Sequence, residues 1–425
     1  MSNIDKVKSH VDFLSSEVKK EYQMVRGRKK VYNFKKKHIY ENLKHNNIQD
    51  FFLVPKNTYS TNPFNNSGFY LDFTIPQLSH YSFNKFIFYF KVSNNTNNNC
   101  YVLIPPLMID RISLLKNSNS LGIDINDHDI FLTNLHRYAN TYNADKLGNF
   151  GLTVNSNSNF TAVDLLKGTS IDGTLELPLS LSESDFLVNL KLDYVIRIYF
   201  KGNIVIDGLQ NSELVFSSPQ LIMRCNELST QSLSHILSQP KLTHFFNKRI
   251  LTKYNIPSLS NGVPYTLNLT GFNHTASGLC LFLKHPESNI TLAQTGGSLW
   301  YHNLFSIDNV SITDGTGRNI LNNNVYNINY NYYLMRDSFK ALSNYIRQFC
   351  INGNDGKFFV IPFVNNLSDA FDNVFCGGYS FKENEYKLKF TPTFSRDNLV
   401  MYAFWFVPSI LELDFATGEL EEYYG

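Results

Sequence analysis

The chain has 425 residues, with 38 Lys and Arg against 36 Asp and Glu, and aromatic residues make up 15% of it. This length supplies enough core for one large or two ordinary domains, and the aromatic content excludes a largely disordered chain. The 22 Gly and 5 Cys exclude collagen-like proteins and disulfide-stapled scaffolds.

Positive charge is concentrated in the first 37 residues. Eleven Lys and Arg stand there against four Asp and Glu, a charge of +7, whereas the remaining 388 residues carry 27 basic and 32 acidic groups, a charge of −5. A basic arm on a slightly acidic body could neutralise nucleic-acid phosphates or anionic lipid. The side chains that we expect to face a genome or a membrane are Lys19, Lys20, Arg26, Arg28, Lys29, Lys30, Lys35, Lys36 and Lys37.

Apolar residues recur every three or four positions in the same arm, which we delimit as residues 1–50. This spacing predicts an amphipathic helix of five to six turns. Such a helix is marginally stable alone, so its stripe needs a neighbouring subunit, the chain's own body or a membrane surface. Three interpretations of the arm remain open: a solvated tail, a segment that contacts a genome or an anionic surface, and an arm that docks on another subunit. The stripe consists of Ile4, Val7, Val11, Leu14, Val18, Tyr22 and Val25.

From about residue 51 the chain reads as short apolar or alternating runs separated by Asn, Ser, Gly and Pro. Enrichment in Phe, Tyr, Ile and Val with frequent turn residues predicts β-strands. Long helical crossovers, which parallel sheets need, are mostly missing, so we expect antiparallel sheets. The clearest strand-like runs are 51–54, 69–75, 83–92, 101–104, 109–115, 173–177 and 190–200.

Three helical segments are predicted to interrupt the strands. The first is short and lies around 161–167, and the second covers about 229–251 with a break near Pro240. The third runs over 337–350, with Asp337 as its expected N-cap.

The chain repeats its pattern after about 190–200 residues. IDRISL at 109–114 matches IDNVSI at 307–312, an offset of 198 with three identities. Four weaker correspondences occur in the same order. They pair 69–92 with 265–283, 129–135 with 325–330, 175–181 with 358–364, and 214–222 with 403–411.

An internal duplication predicts two similar domains. Each unit holds about eight strands in 170–190 residues, the size of one jelly roll. We therefore predict an all-β protein of two tandem eight-stranded antiparallel jelly rolls with short helical insertions and an N-terminal helical, basic arm. The first roll is expected at 51–228, a linker at 229–252, and the second roll with a C-terminal tail at 253–425.

No motif for chemistry stands out. The patterns of phosphate-binding loops, zinc proteases, serine hydrolases and paired-cysteine metal sites are absent. The acidic run from Asp124 to Asp129 could offer oxygens to Ca²⁺ but lacks the Gly and bidentate Glu of an EF-hand, so we interpret it as a solvated turn. We expect no catalytic residue, no cofactor, no metal site and no enzymatic activity.

Neither a membrane span nor a disulfide framework is predicted. The apolar runs fall short of about 18–20 residues, and the N-terminus lacks the apolar region of a secretory signal. Five cysteines without a CxxC pair are expected to be reduced, buried thiols, which suits an intracellular folding compartment.

Residues 101–114, YVLIPPLMIDRISL, resemble the strand, proline and IDRIE stretch in the first roll of polinton-like virus and virophage capsid proteins. The closing SPQLI at 218–222 is similar as well. With the basic arm and the tandem units, the chain resembles double jelly-roll major capsid proteins of the polinton-like, virophage and adenovirus-like lineage. The resemblance covers about residues 50–415 and rests on layout. The chain is compact for the virophage branch, which implies shorter outer loops.

The resemblance implies a structural protein of the virion capsid, assembled inside the host cell. Three copies would form a homotrimer with a pseudo-hexameric outline, and trimers would tile an icosahedral shell of a DNA virus. The implied partners are neighbouring capsomers, penton and minor capsid proteins, and the viral genome or an internal membrane through the arm.

Two rival functions are kept. A trimeric viral receptor-binding or spike protein would share the composition but would rarely need a basic arm. A carbohydrate-active β-sandwich enzyme would need a carboxylate pair in a cleft. Trp405, between Phe404 and Phe406, is expected in a core or interface rather than on a sugar platform.

Overall fold

The computed structural model describes residues 45–57, 64, 68–103, 105–116, 119–126, 162–182, 186, 188, 193–202, 204–207, 214–284, 305–321, 325–338, 358–364, 367, 377–382 and 385–424. They form an antiparallel β protein with three helices, and all named strand pairs are antiparallel. Eleven strands precede residue 229. They are β1 His45–Leu53, β2 Tyr70–Thr74, β3 Tyr81–Asn94, β4 Cys100–Leu103, β5 Ile109–Lys116, β6 Asn119–Asn126, β7 Ala162–Leu165, β8 Ser170–Glu176, β9 Tyr194–Phe200, β10 Val205–Asp207 and β11 Leu214–Leu228.

The second half contains ten further strands. They are β12 Lys241–Leu259, β13 Tyr265–Asn268, β14 Thr275–Ala276, β15 Gly278–Lys284, β16 Ile307–Thr313, β17 Phe358–Pro362, β18 Tyr379–Ser380, β19 Lys387–Pro392, β20 Arg396–Asp414 and β21 Leu420–Tyr424. The helices are α1 Pro105–Met108, α2 Thr230–Leu237 and α3 Ile328–Ser338.

Two four-stranded sheets make the first roll. Sheet I has the order β1-β11-β3-β8, and sheet II has the order β2-β9-β5-β6. Without β4, β7 and β10 the first roll has eight strands, which can be counted from one to eight in chain order. Sheet I then contains strands one, eight, three and six, and sheet II contains strands two, seven, four and five. This is the jelly-roll topology. The remaining three strands form a small sheet, β10-β4-β7, inserted in the connections between strands three and four, five and six, and seven and eight.

The second roll repeats this topology with one strand reduced. Sheet III has the order β12-β20-β15-β17, with β21 also paired to β20, and sheet IV has the order β13-β19-β16. The fifth strand of this roll is replaced, within the described residues, by isolated bridges from Thr313 to Asn319 and from Val310 to Tyr326. The predicted all-β, double jelly-roll fold is confirmed, and the second roll keeps seven of its eight strands as named strands.

The internal repeat coincides with this topology. Strands β5 and β16, which begin at Ile109 and Ile307, are both the fourth strand of their roll. Three further pairs of segments also occupy equivalent positions in the two rolls. They are 69–92 with 265–283, 175–181 with 358–364, and 214–222 with 403–411. Residues 129–135 lie outside the described residues, and their expected counterpart at 325–330 is a bridge followed by α3 rather than a strand.

The helical predictions were partly wrong. The segment at 161–167 contains β7, because it pairs with β4 and buries Leu165 in the core. The segment at 229–251 is helical only in α2, where Ser229 caps the helix by accepting from the Ser232 N–H. Asp337 lies in the last turn of α3 rather than at an N-cap, and residues 339–350 lie outside the described residues.

Two strands begin before the positions at which the sequence predicts the two rolls to start. Strand β1 begins within the segment assigned to the arm, and β12 begins at Lys241, inside the expected linker. The physical reason is pairing, because β12 lies antiparallel to β20 from Lys241 to Leu259. The acidic run from Asp124 to Asp129, which the sequence predicts as a turn, begins as part of a strand. Asp124 and Asn126 belong to β6, while 127–129 lie outside the described residues.

Two hydrophobic clusters hold the rolls. One fills the second roll between sheets III and IV and contains Trp405, which stacks on Phe272 at 3.9 Å between ring centroids. The other contains the core of the first roll and also side chains of sheet III such as Phe282, Phe404 and Phe406. The two rolls therefore share one continuous apolar cluster.

Candidate assembly surfaces

The nine basic residues expected to face a genome or a membrane lie outside the described residues, because the arm up to residue 44 does. Their role stays a prediction. The described surface instead offers four features that could carry function: the junction between the rolls, the outer faces of sheets I and II, and a cleft in the second roll.

The turn between β20 and β21 joins the two rolls. The buried Tyr194 hydroxyl of the first roll donates to the Gly418 carbonyl at 2.9 Å and accepts from the Leu420 N–H at 3.1 Å. The Lys116 ammonium bonds the Glu419 carboxylate at 2.6 Å. This hydrogen bond raises the pKa of Lys116, and burial raises the pKa of Tyr194. The C-terminal hairpin thus fixes how the second roll sits on the first.

Strand β21 also places a carboxylate in the interior. The Glu422 carboxylate lies 3.2 Å from the Lys248 ammonium, and both side chains are largely buried. Desolvation raises the pKa of Glu422, and the neighbouring Lys248 only partly offsets it. The sequence predicts only a C-terminal tail here, because nothing in the local pattern indicates that the tail pairs with β20.

The outer face of sheet I carries an apolar row with polar flanks. Strand register sets Phe52 opposite Ile222 and Ile222 opposite Ile87. On one side of the row, the Arg224 guanidinium donates two hydrogen bonds of 2.7 and 2.9 Å to the Asp50 carboxylate. These bonds hold the pKa of Asp50 below its usual value. Such an apolar centre with a charged rim has the composition of a contact surface.

Ile48 and Val54 extend this row on either side of Phe52, along β1 and just beyond its end. Ile48, Phe52 and Val54 are 65%, 62% and 69% exposed. Their neighbours Phe51 and Leu53 point to the other side and pack against the core of the first roll. The alternation shows that the exposed residues lie on one face, at the edge strand of the sheet.

The outer face of sheet II carries arginines stacked on tyrosines. Arg197 binds both oxygens of Asp72 at 2.7 and 2.8 Å and lies 3.9 Å from the centroid of the Tyr70 ring. These bonds raise the pKa of Arg197 further above its ordinary value. Arg111 lies 4.1 Å from the Tyr199 centroid. Tyrosine and arginine are the residue types that dominate binding energy at protein interfaces.

The second roll contains a cleft lined by aromatic and polar residues. It has a volume of about 420 Å³, and its wall includes Phe272, Phe381 and Tyr386 together with Lys382 and Glu385. Among the lining residues that the structure describes, Glu385 is the one carboxylate. Trp405 is fully buried, as expected for a core residue, and so offers no sugar platform.

No metal or membrane feature appears in the part of the chain that the structure describes. No group of three His, Cys, Asp or Glu is placed to hold a metal ion. No described helix is long and apolar enough to cross a membrane. Cys100, Cys225 and Cys280 are buried thiols, and burial raises the pKa of Cys225 to about 12.

Comparison with known proteins identifies the fold. No family model matches the chain, and no curated protein sequence does either. Among solved structures, PBCV-1 VP54 matches with a TM-score of 0.62 and 12% identity over 90% of this chain and 98% of that one. A chain of the Sputnik virophage matches with a TM-score of 0.54 and 12% identity over 90% and 89%.

The Faustovirus major capsid protein matches as well, with a TM-score of 0.52 and 9% identity over 86% of this chain and 90% of that one. These structures are double jelly-roll major capsid proteins. The expected resemblance is therefore confirmed at the level of the fold, across both rolls.

Proposed function

We propose that this protein is a major capsid protein that forms the shell of a DNA virus. The observation that carries the proposal is the double jelly-roll fold over nearly the whole chain, shared with capsid proteins of PBCV-1, Sputnik and Faustovirus. The protein acts by geometry rather than by catalysis, and its place is the virion.

Three copies associate into a trimer with a pseudo-hexameric outline. Two rolls of the same topology in one chain support this arrangement, because three chains then present six similar units around one axis. The outer faces of sheets I and II support it too, since exposed apolar and tyrosine–arginine surfaces are typical of contact sites. Trimers tile an icosahedral shell with penton and minor capsid proteins, and the basic arm faces inward.

The test is the solution mass followed by imaging. Light scattering of the purified full chain should give three times the monomer mass of 48.9 kDa. Electron microscopy of the same sample should show particles with six density lobes, and virions should show these lobes in the shell.

A second measurement separates the shell from its rivals. A stable trimer that binds soluble glycans or cell surfaces and is absent from the shell lattice would favour a receptor-binding spike. A monomer that releases sugar from a polysaccharide would overturn the proposal in favour of an enzyme.

A further inference from the structure

Phe52 of the first roll and His244 of the second occupy equivalent places in their sheets, but only His244 is covered. Phe52 pairs with Ile222 in sheet I, and His244 pairs with Leu411 in sheet III. The repeat that aligns the last strands of the two rolls makes Ile222 and Leu411 equivalent. His244 is 8% exposed, whereas Phe52 is 62% exposed. Within one chain, Phe52 therefore lacks the contact that its counterpart has.

Part of the cover on His244 comes from the first roll. Phe186, in the connection between β8 and β9, is buried and lies with its ring centroid 6.1 Å from that of His244. The equivalent connection of the second roll runs from β17 to β19. The proposed trimer alternates first and second rolls around its axis, so a neighbouring copy should bring this second connection onto Phe52.

The connection from β17 to β19 carries one wall of the cleft in the second roll. Phe381 and Tyr386 come from this connection, and Phe272 comes from the turn after β13. The Phe381 ring lies 4.6 Å from Tyr386 and 5.7 Å from Phe272 between centroids, in edge-to-face geometry. The volume of about 420 Å³ is within the range of pockets that bury small molecules. The cleft thus suits an aromatic side chain, which would extend the edge-to-face cluster.

The charges beside Phe52 complement those at the mouth of the cleft. Asp50 and Arg224 form an ion pair on the same face of sheet I. The cleft offers the Lys382 ammonium and the Glu385 carboxylate, and among the described residues neither has an ion-pair or hydrogen-bond partner. Each surface therefore carries one positive and one negative group, and Lys382 can approach Asp50 while Glu385 approaches Arg224.

We propose that Phe52 of one copy inserts into the cleft of the second roll of a neighbouring copy. The chain's own cleft does not cover this side chain, since Phe52 stays exposed in the single chain. Because the inserted side chain and the cleft lie on different rolls, the contact is heterologous, and three copies can close it into a ring. This inference rests on the proposed trimer and names the contact that joins its subunits.

The first test places a charge on the inserted side chain. Phe52→Asp should weaken trimer formation by about tenfold or more, measured by light scattering over a dilution series, because a carboxylate would be buried in the aromatic cleft. Val263→Asp is the matched control, since Val263 is 56% exposed on the second roll, outside the lining of the cleft. It should leave the trimer intact. Both residues are exposed, so the unfolding midpoint of the single chain should change little.

The second test fills the cleft. Thr270 lines it and is exposed, so Thr270→Trp should block entry of Phe52 and weaken the trimer to a similar extent. Thr266→Trp puts the same side chain on an exposed position of β13 outside the cleft and should have no effect. A trimer of undiminished affinity in Phe52→Asp and Thr270→Trp overturns this inference and leaves the capsid role standing. A monomeric parent chain overturns both the trimer and this contact.

Photo-cross-linking identifies the partner directly. Phe52 is replaced by p-benzoylphenylalanine, and ¹⁵N-labelled and unlabelled full chains are mixed, dissociated and reassembled before irradiation. Cross-links between the two label classes should contain the tryptic peptides 254–284 or 383–387, which carry the walls of the cleft. Capture of a first-roll peptide, or cross-links confined to one label class, overturns the inference, because the contact is then isologous or lies within the chain.

Discussion

Sheets I and III occupy the same position in their rolls but lie in different surroundings. In sheet III every residue of β15 and the run from Leu399 to Leu413 in β20 are buried, so this sheet is covered on both faces. In sheet I, β3 alternates between buried and half-exposed residues over most of its length. Topology therefore fixes which strands pair, whereas the burial of the outward face depends on what each sheet packs against.

The largest expected effect comes from truncating one outward residue on each sheet. Phe404→Ala removes a fully buried ring from sheet III and should lower the free energy of unfolding by about 3–5 kcal/mol. Ile87→Ala changes a half-exposed residue of sheet I and should cost about 1–2 kcal/mol, since one side of it is less enclosed. Urea unfolding midpoints measure both, and equal losses would contradict the comparison.

An intermediate effect is expected at the junction of the rolls. Tyr194→Phe leaves the Gly418 carbonyl and the Leu420 N–H without their buried partner and should cost about 1–3 kcal/mol. Tyr70→Phe keeps the ring that stacks on Arg197 and should change stability by less than about 0.5 kcal/mol. Thermal unfolding compares the two, and a neutral Tyr194→Phe would show that the hairpin does not hold the rolls together.

The sequence predicted most strands of the first roll, though not β6 or β7, because those strands place one face in the core. Period-two alternation in β3 and β9, and the match of IDRISL with IDNVSI, are direct consequences of that burial. These patterns were enough to infer a duplicated roll and, through the resemblance, a capsid protein.

The elements that were missed depend on contacts far along the chain. The segment before β12 and β12 itself have mixed apolar patterns that a helix can also satisfy, and only pairing with β20 makes residues 241–259 a strand. Likewise, nothing near Tyr194 indicates that its hydroxyl bonds a turn more than 220 residues away. The ion pair of Asp50 with Arg224 on the outer face of sheet I was missed because the two residues lie 174 positions apart in the sequence.

The smallest expected effect is a difference in pH dependence between one carboxylate on each sheet. The pKa of Asp50 is lowered by Arg224, so Asp50 contributes stability above its unfolded-state pKa and loses it as pH falls through the lowered value. Asp50→Asn should therefore destabilise by about 0.5–1 kcal/mol at pH 7.5, and the deficit should shrink only as pH falls below about 4.

Glu422, which is on the strand added to sheet III, should show the opposite sign. Burial raises its pKa, so the ionised form costs stability at neutral pH, and this cost disappears as pH falls below the ordinary glutamate value. Relative to the parent chain, Glu422→Gln should be most favourable at pH 7.5 and lose that advantage toward pH 4. Thermal unfolding of the Glu422→Gln chain between pH 7.5 and 4, and of the Asp50→Asn chain also below about pH 4, measures the two slopes. Slopes of the same sign would mean that the outer face of sheet I and the interior strand beside sheet III provide similar electrostatic environments.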